Sequence, residues 1–151
     1  MWEKLFDTFM PSLLVAIVTA FITVRLSLKQ FRSQQWWEKR FEAYTRIVEA
    51  LHHLIDYCES HAKEDMTGVQ IEPERRKQLE EAYARSFDEL TKAANVGSFI
   101  ISSKAADLLE KLRTRDKDWE SSPPWEIYTG DAHAYRKALA DIRELAKRDL
   151  A

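Results

Sequence analysis

Residues 37–62, WEKRFEAYTRIVEALHHLIDYCESHA, decide the fold. Trp37, Phe41, Tyr44, Val48, Leu51, Ile55, Cys58 and Ala62 recur at alternating steps of four and three, which is the spacing of one helical face. Ile47 and Leu54 widen that stripe beyond the narrow seam of a coiled coil. A stripe this wide predicts an intramolecular bundle core rather than a pairing of two chains, with Trp37, Phe41, Tyr44, Val48, Leu51 and Ile55 inside it.

The helices that would cover this face follow in the sequence. Only three glycines and four prolines occur in 151 residues, and they act as punctuation. The first helix should run to about Lys63, ahead of Thr67 and Gly68. Pro73 opens a second, with Leu79, Tyr83, Phe87, Leu90 and Ala94 on one face and Gly97 as its cap. Ser102 or Ser103 starts a short third through Leu108, Leu109 and Leu112. Beyond Ser121, Ser122, Pro123 and Pro124, Thr129 or Asp131 starts a fourth that carries Tyr135, Leu139, Ile142 and Leu145. So few turn formers exclude a β-sandwich, a collagen-like repeat and a low-complexity linker. The expected class is all-α, with a bundle of about four helices over residues 29–151.

Working back towards the N-terminus, Thr8 to Val24 carries no charge, and Leu26 and Leu28 extend the apolar run past Arg25. At about 1.5 Å per residue the run from Phe9 to Leu28 reaches about 30 Å, the hydrocarbon thickness of a bilayer. Residues 1–28 are therefore expected to be an outer anchor and a transmembrane helix that continues into the first bundle helix. A cleaved signal peptide ending near Ala20 fits less well, because Glu3 and Asp7 stand against Lys4 and the apolar run goes on through Phe21, Ile22 and Val24.

Arg25, Lys29, Arg32, Lys39 and Arg40 follow the run while Lys4 alone precedes it, which predicts an outside N-terminus and a cytoplasmic C-terminal domain. Trp2, Phe6, Arg25, Lys29, Arg32 and Trp36 are the expected interface anchors. Within lipid, Ser12, Ala16, Thr19, Ala20, Thr23 and Ser27 form a small-residue face that would let two backbones approach, and hence a self-association surface.

Little in the chain points to chemistry. The net charge of -2 offers no basic field for nucleic acid, and a lone Cys58 builds neither a disulfide framework nor a cysteine zinc site. Glu49 and His52 have the Glu-x-x-His spacing of bundle di-iron sites, but such sites need the motif twice and it occurs once. His53, Asp56 and His61 read as outer positions of the same helix. No catalytic residue, cofactor or metal is expected, and the chain does not read as an enzyme. Trp119 and Trp125 flank the Pro-Pro loop as a partner surface or, as favoured here, fold back over the helix ends.

The stretch from Phe31 to Tyr44 with its Trp36-Trp37-Glu38-Lys39 box, the segment Gly97 to Ser102, and the ending Ala146 to Leu150 resemble small bacterial single-pass membrane proteins of unestablished activity. The resemblance implies a bacterial inner-membrane location and a helical domain. In layout such proteins are similar to small membrane effectors or accessory subunits of phage-defence and stress systems. The function expected from the sequence is a membrane-anchored helical interaction module that binds a protein partner or itself, with membrane lipid around its first helix. The alternative is a membrane-perturbing effector that oligomerises through that helix.

Overall fold

The computed structural model describes residues 2–96, 99–115 and 122–151, with side chains from residue 18 onward except those of 32 and 96. Among the described residues the regular structure is four α-helices: α1 (Trp2–Thr67), α2 (Pro73–Val96), α3 (Ser103–Arg113) and α4 (Pro124–Leu150). Gly68 ends α1 in the left-handed conformation, at φ 69°, and its N–H bonds the Glu64 carbonyl at 2.8 Å. A side chain there would be strained, which is why glycine follows the last turn. Pro73 starts α2 at a position whose N–H has no helical partner to lose.

The fourth helix begins earlier than the sequence suggested, at Pro124 rather than Thr129 or Asp131. Pro123 and Pro124 read as loop, yet a proline at the first helical position is pre-set for the helical φ and forfeits no hydrogen bond.

Two units make up the chain, residues 1–38 and 39–151. In the second, α1 supplies Tyr44, Ile47, Ala50, Leu51, Leu54, Ile55 and Cys58 to one core. Leu90 of α2, Ile101, Ala105, Ala106 and Leu109 at and within α3, and Ala132, Tyr135, Ala138, Leu139 and Ile142 of α4 complete it. A helical bundle is thus as expected, but the deepest side of the α1 stripe is not the predicted one. The most enclosed α1 positions are Tyr44, Ile47, Leu51, Leu54 and Cys58, whereas Val48 is only half-buried.

Two residues expected in the core are outside it. Trp37 is 47 % exposed and falls in the first unit, and Phe41 is 51 % exposed. The reason is length: α4 ends at Leu150, and the end of α4 meets α1 at the level of Arg40 and Tyr44, so burial starts with Tyr44.

The first unit requires a larger correction. Among the described residues no helix is long and apolar enough to cross a membrane, so the transmembrane helix is not supported.

Leu51 is wholly enclosed. Leu51→Ala should therefore destabilise the bundle by about 2–5 kcal/mol, the sum of lost transfer energy and the cavity left behind. His53→Ala on the exposed face should change it by less than about 0.5 kcal/mol. Urea unfolding of the whole chain, followed by far-UV circular dichroism, measures both.

Candidate functional site

Apolar burial explains most of the bundle, so the polar groups drawn into it are where function is sought. Two clusters of them lie at opposite ends of the α1 core stripe.

The first lies at Tyr44. Its hydroxyl donates to the Asp149 carboxylate near the end of α4 and lies 3.3 Å from the Ser102 hydroxyl. The Ser102 N–H, at the start of α3, donates to Asp149 Oδ2 at 3.2 Å. Ser102 makes no side-chain cap of its own, so Asp149 satisfies an N-terminal donor of α3 from a different helix. Arg40 adds Nε to the Ile100 carbonyl at 3.1 Å and Nη1 to the Asp149 carbonyl at 3.4 Å. Burial would raise the Asp149 carboxyl, but the hydrogen bonds from Tyr44 and Ser102 outweigh it and hold the group below its ordinary value of 3.8. Burial first, then the Asp149 bond, pushes the Tyr44 phenol up. The cluster ties three helices together and contains no activated nucleophile.

The second cluster is centred on His61, which is only 7 % exposed. Its ring packs 4.3 Å from Tyr57 and 5.3 Å from Tyr128, centroid to centroid, and Tyr57 in turn lies 4.4 Å from Tyr83. His61 Nδ1 is 3.7 Å from Glu64 Oε2. The other oxygen of Glu64 takes Arg76 of α2 at 2.5 Å and the Ile71 N–H at 2.9 Å. His61 Nε2 is enclosed and has no hydrogen-bond partner.

Burial, and then Arg76, lower the His61 value from 6.5. The Ile71 N–H leads the causes that lower Glu64. Burial pushes the Tyr57 phenol up to about 12 and raises Tyr128 and Tyr135 as well. Two tyrosine rings and a carboxylate engaged elsewhere thus enclose the imidazole.

His61 was assigned to the outer face, and a signal for its burial was present. Ile47 and Leu54 are seven residues apart, and the next member of that series is residue 61. Because the core is centred on the 47–54 side of the stripe, His61 is carried inward with it.

The remaining residues singled out in the sequence are dispersed. Tyr44, Leu51 and Ile55 are buried and Val48 is half-buried. Thr19, Ala20, Thr23, Arg25, Ser27, Lys29 and Trp36 are exposed, and the Thr23 hydroxyl donates back to the Thr19 carbonyl at 2.8 Å. The side chains of Trp2, Phe6, Ser12, Ala16 and Arg32, together with Trp119, lie outside the described residues. Trp125 occupies the first turn of α4 and is 41 % exposed. His52 turns towards Arg143 of α4, with Nε2 3.3 Å from its Nη2. Among the described residues no three His, Cys, Asp or Glu side chains are placed to hold a metal ion. No family model matches the chain, and no match was found among curated proteins or solved structures.

Tyr44→Phe keeps the ring and removes the hydroxyl from Asp149, which should cost about 1.5–3 kcal/mol as a hydrogen bond to a charged group. Since Asp149 titrates below its ordinary value when folded, this stability is present above about pH 3.8 and is lost as the pH falls through the folded value. Thermal melts at neutral and acid pH should show the gap between the two proteins closing in acid.

Proposed function

We propose that the chain is a helical interaction module that associates with a second copy of itself through the exposed apolar face of residues 18–37. The observation that carries the reading is a row of large side chains in the first unit. Phe21, Val24, Leu28 and Phe31 are each more than half exposed and follow steps of three, four and three. That is the spacing of a coiled-coil seam, and it lies on the part of α1 that contributes no residue to the bundle core.

In lipid the small residues Thr19, Ala20, Thr23 and Ser27 would form the contact, because bulky apolar groups gain nothing by leaving hydrocarbon. In water the driving force is burial of the bulky groups themselves, so the seam moves to Phe21, Val24, Leu28 and Phe31. Eight such half-exposed side chains, four from each helix, offer about 6–12 kcal/mol. Association costs about 4–15 kcal/mol in lost freedom, so the pairing is expected to depend on concentration rather than to be permanent.

Analytical ultracentrifugation of the whole chain tests this. The unaltered protein should shift towards monomer on dilution, and Val24→Asp with Leu28→Asp should be monomeric at every concentration while its bundle melts unchanged. A chain that is monomeric throughout, or that pairs equally well with both aspartates in place, would overturn the reading. So would a monomer that instead floats with lipid vesicles.

A further inference from the structure

Beyond association, the box around His61 has a property that the bundle's stability does not require. We propose that His61 is a proton-operated latch on the α1–α2 connection: protonation of the imidazole draws Glu64 away from Arg76 and the Ile71 N–H and releases residues 68–76.

The geometry sets two states against each other. With His61 neutral, Glu64 Oε1 holds both Arg76 and the Ile71 N–H and so fastens the start of α2 and the turn before it to the last turns of α1. His61 Nδ1 stands 3.7 Å from the other oxygen, too far for a hydrogen bond. A charged imidazole would require a bond there of about 2.8 Å, which moves the carboxylate about 1 Å towards His61 and away from its two donors. Nε2 adds to the pressure. It is enclosed without an acceptor, so a second N–H has nothing to bond to while the box is shut.

The charges around His61 come from three helices. On α1, Glu64 and Asp65 are acidic and Tyr57 covers the ring; on α2, Arg76 opposes a second positive charge, Glu80 favours it, and Tyr83 backs Tyr57. On α4, Tyr128 lies over the ring, and the nearby carboxylate of Asp131 is engaged by Arg115 at 2.9 Å. Among the described residues Glu64 is the carboxylate at ion-pair distance from the ring, and it is already committed to the turn. Burial and Arg76 make the folded chain bind this proton less readily than the unfolded one. The stability at stake is therefore present above about pH 6.5 and declines as the pH falls below it.

Hydrogen exchange of the whole chain from about pH 7.5 to about pH 5 tests the latch, with rates corrected for intrinsic exchange. Opening of residues 68–76 should rise relative to α4 as the pH falls through this interval. His61→Phe and His61→Gln should each abolish the rise. An NMR titration should show the His61 ring charging over the same interval. If His61→Phe does not fold, His61→Gln and the titration decide the matter. Equal protection of residues 68–76 at both pH values, a rise that survives the substitutions, or opening while the imidazole is still neutral would each overturn the proposal.

Discussion

A helix with apolar residues at 44, 47, 51, 54, 55, 58 and 62 has a face too wide for one neighbour, and burying that face is the constraint from which the bundle follows. Leu51 and Leu54 at its centre are closed off completely, which takes side chains arriving from three directions. α4 meets the face with Tyr135, Leu139 and Ile142, α3 with Ala105 and Leu109, and α2 with Leu90. Small residues recur where the helices approach: Ala50, Ala105, Ala106, Ala132 and Ala138 let backbones come close without leaving voids.

Once that face is buried, polar groups carried on it need partners, and the two clusters show different solutions. At Tyr44 the phenol, the Ser102 N–H and the Asp149 carboxylate satisfy one another, so the cluster joins three helices at little cost in unmatched polarity. At His61 the match is incomplete, since Nδ1 faces a carboxylate engaged elsewhere and Nε2 faces nothing. Such an atom is tolerated in the neutral ring and becomes expensive when the ring is charged, which gives this end of the bundle its sensitivity to protons. Ion pairs on the outside, Asp56 with Arg75 and Glu59 with Arg136, link α1 to α2 and α4 but are exposed and contribute little.

The two units face opposite physical problems. Residues 39–151 bury a shared apolar core while leaving Phe41, Phe99 and Trp125 exposed, and Phe21, Val24, Leu28 and Phe31 of the first unit are each more than half exposed. Phe21, Val24, Leu28 and Phe31 are a cost to an isolated helix in water and a contact surface to a helix of matching period. An account of function in this chain therefore begins with what meets that row, and the bundle supplies the folded body that carries it.

Much of the bundle was legible in the sequence because its signals are local. Three-and-four spacing, Pro73 at a helix start, Gly68 after a helix end and Ser102 ahead of α3 each act over a few residues, and the structure places helices accordingly. Pro124 misled because proline marks both loops and first turns. The apolar N-terminal run was read as a membrane span from its length in residues, and among the described residues no helix has the length and apolarity to cross a membrane. Which side of the wide stripe lies deepest was not local at all. It depends on how α2, α3 and α4 pack against α1, and that packing puts Ile47, Leu54 and His61 inside while leaving Val48 half out. The pairing of Asp149 with Tyr44 and Ser102 was equally out of reach, because residues 105 and 47 positions apart become neighbours only when the helix ends converge. Periodicity reports that a face is apolar. Only packing decides which of its edges is sealed and which polar group is sealed in with it.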